Sequence, residues 1–574
     1  MIAKRMVAGA AAVALVAAAC GSSGSSGGSG SSSSAGSTVQ TAATTPSGGL
    51  PQGGTVKMVA QSPEDPWDGQ AYYGTQWEVE YLTCNALMDY VPSATSGNPA
   101  LIPGIAADMP QILHGGKTYT FTIRQGLKYS DGTVLQAQDV KDMFERFLDP
   151  AMGQSGALGA GYYNEIVGMD KYAPTGATKA GAAHISGITV SGNTVTFNLV
   201  KADPDFVAKL SLRFTCIYKP GGPHKRSQMP QPSTGPYMIT TATNTNVVLV
   251  RNPYWWSNNA AILGMAQYKG RLWNADSYTL TIGLSPDQQL LQLKANQVDL
   301  SWDSTAVGGV AQVKQLEAGA DTKSRFFQPT TLYLDYMSLN TAKGPFTNAK
   351  LRQAANYAID RQAIATISGH DVPWSVLEAT PLAPKAPVVY PPASNDATAK
   401  QLIAQSGLKT PIPVTLLYFS QSGTAPQQAS ATAAQLEAVG FKVTLVSKPP
   451  QVYYEYAASA ANAHDIMQGV WSPDWPDGSS AMGPILLAAG IGGQNLAENN
   501  DPAFEAQYAQ IDNMPYGPAR TAAWAALAAS YAQTRAPLVV TGTRFQPDLT
   551  SARLGGYSWD PAHSVNLGAM YIKP

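Results

Sequence analysis

The sequence predicts an α/β protein divided into two or more lobes, and three observations lead there. The chain has 574 residues, whereas a single hydrophobic core stops growing near about 250 to 300 residues. Short runs of alternating apolar and polar residues recur between longer runs of helical period. No fixed-period repeat appears, which excludes solenoids and propellers.

Taken in order, Lys117 to Arg124 (KTYTFTIR) alternates, with Tyr119, Phe121 and Ile123 on one face, as a half-buried strand does. Ser130, Asp131 and Gly132 supply a tight turn. Val140, Met143, Phe144, Phe147 and Leu148 then fall at helical spacing, and Pro150 ends that helix. Ser191, Gly192 and Asn193 separate two β-branched runs, Ile188 to Val190 and Thr194 to Val200, which reads as a hairpin. Asn348 caps a helix through Leu351, Ala354, Ala358 and Ile359 that closes near Gly369. An Ala/Gln-rich helix from Ala425 to Val439 stops at Gly440 and leads into an alternating strand, Phe441, Val443, Leu445. Pro518 to Thr534 is an Ala-rich helix, closed by Pro537.

Upstream of these elements, Lys4 and Arg5 precede an apolar stretch from Met6 to Ala19 that ends in small residues before Cys20. That is a signal-peptide layout over 1–20, and the stretch is shorter than the roughly 20 residues a membrane span requires. Leu15 to Cys20 (LVAAAC) resembles the bacterial lipobox, in which the cysteine receives a diacylglycerol; Ala17 stands where that pattern prefers Leu. An ordinary cleaved signal is the alternative. Acyl chains, palmitate among them, would then hold the protein at the cell membrane on its extracytoplasmic face. Residues 21–52 form a Ser/Gly-rich tether with almost nothing to bury. The G-x-S-x-G match at 24–28 lies inside that tether, without the strand–turn–helix context a nucleophile needs.

Charged residues make up 13% and the net charge is -1, so a nucleic-acid partner is excluded. With Cys20 set aside, Cys84 and Cys216 read either as one disulfide of an exported chain or as two separate buried thiols. The six histidines include no pair at i, i+4, so no metal site is expected.

Five segments in order resemble the large extracytoplasmic solute-binding proteins of the peptide/nickel class, the oligopeptide- and dipeptide-binding lipoproteins of ABC importers. They are Lys117 to Val140; TGPY at 234–237 with Val247 to Trp255; Leu339 to Arg361; His464-Asp465; and WSPDWPD at 471–477. Asn296 departs by standing where relatives carry Gly, and Pro473 by standing where they carry a small residue. The resemblance implies a two-lobe periplasmic-binding-protein-like α/β fold with a hinge and an extra inserted domain. Lobe I would combine 53–95, 230–330 and 540–574; the inserted domain would be 96–229 and lobe II 331–539.

The same resemblance implies capture of short peptides by lobe closure and delivery to permease subunits, by a monomer with no catalytic residue and no cofactor. It matches Asp474 to the aspartate that pairs with the ligand's α-amino group. An ammonium drawn out of water needs such a carboxylate. A turn or cap role is the alternative for Asp474, helped by Pro473, Pro476 and Gly478. Trp471 and Trp475 are candidates to wall the ligand or to pack between lobes, and Trp302 and Trp374 are further candidates. Asp477 reads as a turn residue, Asp360 with Arg361 as an ion pair, and Arg124, Arg251 and Asn252 as structural. The other functions in play are receptor for a non-peptide solute such as a sugar or metallophore, secreted enzyme, and surface interaction protein. No H-E-x-x-H or Walker A motif supports the enzyme.

Overall fold

The computed structural model describes residues 50–61, 67–68, 77–90, 99–152, 161–225, 229–257, 273–379, 381–420, 423–459, 461 and 464–574. The signal segment, Cys20 and residues 21–49 of the tether lie outside the described residues. Three sheets organise the rest.

The first sheet has the strand order Leu300–Ser301, Thr55–Ala60, Ser277–Ile282, Asn246–Arg251, Tyr237–Ala242. Thr55–Ala60 runs parallel to Ser277–Ile282, with Val56 opposite Tyr278 and Met58 opposite Leu280. These strands are rich in Val, Leu, Thr and Tyr, which suit a pleated surface. Their alternate residues Val56, Met58, Val247, Leu249, Tyr278 and Leu280 are buried in one core.

The hairpin read from Ser191 to Asn193 forms one edge of the third sheet, Gln111–Leu113, Thr118–Thr122, Thr194–Asn198, Ile188–Ser191. Against it lies the helix Ala137–Phe147, opened by a capping box between Gln136 and Asp139. Phe144 is fully buried, with ring centroids of Phe147, Tyr163 and Phe197 at 5.5, 5.6 and 5.0 Å. Burying such a side chain contributes about 1.5 to 3 kcal/mol, which fixes the helix to the sheet.

The second sheet carries six strands, in the order Asp371–Pro373, Leu538–Phe545, Thr330–Leu339, Ile466–Trp471, Ile412–Phe419, Phe441–Lys448. Ile412–Phe419 and Phe441–Lys448 are parallel. The helix Ala425–Val439 joins them, so the helix–glycine–strand step is a βαβ unit. Gly440 takes φ +120°, and a Cβ there would meet Thr410 Cγ2 at 2.9 Å, so this position favours glycine. The chain enters this sheet by Thr330–Leu339 and leaves it by Leu538–Phe545, two antiparallel neighbours. Leu538–Phe545 therefore runs through the boundary expected at 540 and belongs wholly to the second sheet.

One helix differs from expectation. The run from Asn348 is broken into Ala349–Ala358 and Arg361–Ser368. Asp360 is the N-cap of the second helix, accepting from the Ala363 N–H. Arg361 does not pair with it. The guanidinium is buried and spends its donors on the carbonyls of Val540 and Asn356 and the side chain of Asn356, at 2.8, 3.0 and 2.9 Å. The ion pair expected of these residues is thus replaced by a cap and a carbonyl clamp. Arg124, Arg251 and Asn252 do hold backbone groups: Gly104 O, Ala275 O and Gly235 O. Cys84 and Cys216 are joined as a disulfide with Cα atoms 5.8 Å apart.

Candidate functional site

The central strand Ile466–Trp471 ends in a turn whose shape is set by Pro473 and Pro476 and by the helix that follows, Gly478–Leu486. That helix must start close to a neighbour, because a Cβ on Gly478 would fall 2.3 Å from Trp524 Cγ. Its first turn locks the loop. Ser480 Oγ accepts from the Asp474 N–H at 2.8 Å, Ser480 O accepts from Trp471 Nε1 at 2.9 Å, and Ser479 Oγ accepts from Trp475 Nε1 at 3.2 Å. Both serines are buried. The carboxylate of Asp474 is left half-buried at the apex.

One tyrosine meets this apex, and a second is placed by the neighbouring strand. Tyr162 donates its hydroxyl to Asp474 Oδ2 at 2.5 Å, and its ring lies 6.4 Å from that of Trp475. Tyr333, on the second-sheet strand Thr330–Leu339, is 44% exposed, with the Arg544 guanidinium 5.3 Å from its ring centre. Arg544 is held bidentately by Asp335 at 2.6 and 2.5 Å. Desolvation pushes the Tyr333 hydroxyl above its ordinary value; Arg544 opposes this, while Glu78, Asp335 and Asp474 add to it.

Glu78 lies in the helix Trp77–Thr83 and is buried beside Asp548. Burial first, and then Asp548, push its carboxyl well up. Asp548 is pushed up to about 6 by burial, with hydrogen bonds from Tyr557 and Gln546 pulling the other way. Glu78 and Asp548 are thus biased toward their neutral forms and Asp335 is neutralised by Arg544, so these three add little net charge beside Asp474. Among the described residues, no three His, Cys, Asp or Glu side chains are grouped so as to hold a metal ion.

The remaining tryptophans have other places. Trp475 is 6% exposed and packs into the core that the first and third sheets share. Trp471 is half-buried against the helical cluster around Trp524. Trp374 belongs to the same cluster and donates Nε1 to Glu378 O at 2.7 Å. Trp302 is 2% exposed and tilted on Trp67 at 5.4 Å, an interior ring pair. Asp477 does more than turn the chain: it caps the helix through the Ser479 N–H and binds Arg520 with both oxygens.

Tyr162, Tyr333, Arg544 and Glu78 were not picked out by motif. Tyr333 and Asp335 had a signal, since they alternate with buried Leu332, Leu334 and Tyr336 on the opposite face. Glu78 had none.

Comparison with known proteins adds the following. The family model of bacterial extracellular solute-binding proteins, family 5 middle, matches residues 100–493. Heme-binding protein A of Haemophilus influenzae is 26% identical over 476 residues, covering 76% of this chain and 77% of that protein. Di/tripeptide-binding protein 3 of Pseudomonas aeruginosa is 23% identical over 466 residues, covering 75% and 79%. The solved structure of clavulanic acid biosynthesis oligopeptide binding protein 2 superposes with a TM-score of 0.75 at 21% identity, covering 91% and 96% of the two chains.

Proposed function

We propose, from the premise that this chain belongs to the bacterial extracellular solute-binding proteins of family 5, that it captures short peptides by their free α-amino group. Proteins of this family are binding components of ABC importers and not enzymes, and they work outside the cytoplasm. The observation that carries the peptide reading is the Asp474 apex: a half-buried residue on a locked turn, flanked by the hydroxyl of Tyr162. An ammonium seated there gains a charge-assisted hydrogen bond in a partly desolvated place. Among relatives, di/tripeptide-binding and oligopeptide-binding proteins carry such ligands in their names.

In this reading lobe I holds the first sheet, the inserted domain of 96–229 holds the third, and lobe II holds the second. The strands Thr330–Leu339 and Leu538–Phe545 carry the chain into and out of lobe II, so the second crossing lies past Phe545. Ligand bridging the lobes favours the closed form by its differential affinity for that form, and the closed form is what the permease reads. Cys20 carries the lipid and 21–52 is the tether; a diacylglyceryl mass on the mature N-terminus, lost in Cys20→Ser, tests this. The protein acts as a monomer.

The test of the ligand is calorimetric titration with di- and tripeptides and their N-acetylated forms. Asp474→Asn removes a charged hydrogen bond worth about 1.5 to 3 kcal/mol, so free-amine peptides weaken about 10- to 150-fold. N-acetylated peptides, already weak, change little. Equal loss for both classes removes Asp474 from the amine role. The first relative named above binds haem, so haem is titrated in parallel, and haem uptake with no peptide bound at all would overturn the peptide reading.

A further inference from the structure

Arg520 sits where two separately built parts of the chain meet. The guanidinium is 1% exposed, and its Nη2 lies 2.9 Å from Asp205 Oδ1, 2.8 Å from Asp477 Oδ1 and 2.9 Å from Asp512 Oδ1. Asp205 precedes the helix Phe206–Lys209, in the same stretch as the third sheet. Asp477, Asp512 and Arg520 belong to the helices around the second sheet. Tyr516 donates to the same Asp205 Oδ1 at 2.8 Å. The contact of Tyr162 with Asp474 and the approach of Lys209 to the Trp475 ring cross the same boundary.

Charge does not balance in this cluster. A guanidinium Nη2 has two hydrogens, yet three carboxylates crowd it. The groups facing them are Lys209, Tyr90, Tyr508 and Tyr516, and Glu378 lies behind, within the field of Asp477. Lys209 is itself bound to Asp203 at 2.7 Å. Carboxylates packed this closely do not all stay ionised around one cation.

We propose that Asp205 and Arg520 form a latch across the solute cleft, and that it shuts with one proton shared between Asp205 and Asp512, so that mild acid favours the closed form. The latch rests on the reading above, in which the two parts separate and close. Burial, and then the neighbouring Asp477, raise the Asp205 carboxyl in the closed contact. Burial, and then Asp205 itself, push Asp512 up to about 7. When the parts separate, Asp205 regains water and falls back toward the ordinary carboxylate range, and Asp512 loses the Asp205 field. The closed form therefore binds the proton more tightly than the open form. Its advantage is complete below the open-form value and is lost as pH rises through about 7. Within that window one proton changes the closed-to-open ratio by up to about tenfold per pH unit.

Small-angle scattering of the full chain without solute, from about pH 5 to about pH 8, reads the latch directly. The radius of gyration of the wild type is expected to grow with pH, while Asp205→Asn, neutral at every pH, stays compact throughout. A pH-independent wild type, or a variant that keeps the wild-type slope, overturns the latch. Calorimetry with trialanine near about pH 6, in two buffers of different ionisation heat, gives the second reading. Proton uptake on binding in the wild type and none in the variant supports the latch. Compaction by peptide with no proton uptake overturns the latch and leaves the peptide reading standing. The pH-dependent compaction without any peptide binding supports the latch and overturns the peptide reading.

Discussion

Replacing Cys84 and Cys216 by alanine together should cost this protein about 3 to 5 kcal/mol of stability, a value that follows from chain length. The bond closes a loop with a sequence separation of 132. On the chain-entropy relation, such a loop removes about 5 kcal/mol of freedom from the unfolded chain at about 25 °C. The folded side loses little, because the strands of chain it joins are already knitted. Ile217 N–H donates to Asn85 O at 3.0 Å, Gly235 N–H to Thr83 O at 3.0 Å, and Asn85 Nδ2 to Thr234 O at 2.8 Å. Both half-cystines are buried, so alanine leaves only a small void. The double variant should therefore keep the wild-type circular dichroism while its denaturation midpoint falls. A loss below about 1 kcal/mol would refute the argument, since it would mean the unfolded chain keeps these segments together without the bond.

Two further outcomes follow from single contacts. Gly478→Ala should lower the melting temperature, by overpacking worth about 1 to 3 kcal/mol, because its Cβ falls 2.3 Å from Trp524 Cγ and Trp524 is fully buried; an unchanged melting temperature would show that the helix start shifts freely. Glu378 is buried, with Oε2 lacking a hydrogen-bond partner among the described residues, and burial followed by Asp477 pushes it up to about 8. Its raised value makes the folded state hold the proton, so its contribution is complete below about 4.3 and is lost as pH rises through about 8. Glu378→Gln should flatten the fall in stability with pH over that window, in denaturant titrations read at several pH values; a variant with the wild-type slope would assign that fall to other groups.

Much of the fold was legible because local chemistry and tertiary context agree. Ala425–Val439 and Pro518–Thr534 have the bounds that Gly440 and the two flanking prolines indicate. Asn296 explains its own departure from the family pattern: it sits at φ 56°, the left-handed region where glycine is strain-free and asparagine is the next best residue. The misreading at 348–369 has a physical cause too. Apolar periodicity continues through Ile359, but Asp360 competes as a cap and Arg361 is drawn inward by carbonyls of the neighbouring strand. Nothing in the local sequence announces Val540 O, which lies 179 residues away. The site divides in the same way. The 471–477 motif singles out Asp474 through resemblance, whereas Tyr162, 312 residues away in the chain, reaches it through tertiary packing, which periodicity does not encode.

The turn from Trp471 to Asp477 also ties the two proposed events together. Asp474 is the residue proposed to meet the solute and Asp477 binds Arg520, and only Trp475 and Pro476 lie between them. Proline fixes φ at 476, Ser480 holds the Asp474 N–H, and Ser479 holds both the Trp475 indole and, through its own N–H, the Asp477 carboxylate. A turn with this many internal bonds moves as one piece. An ammonium that settles on Asp474 therefore fixes the orientation in which Asp477 presents Arg520 to Asp205, and a latched Asp205 fixes the orientation in which Asp474 meets the ammonium. Linkage makes the two effects equal in free energy. The mild acid that tightens the latch must then raise affinity for any solute held at Asp474, and by the same factor for peptides of different side chains.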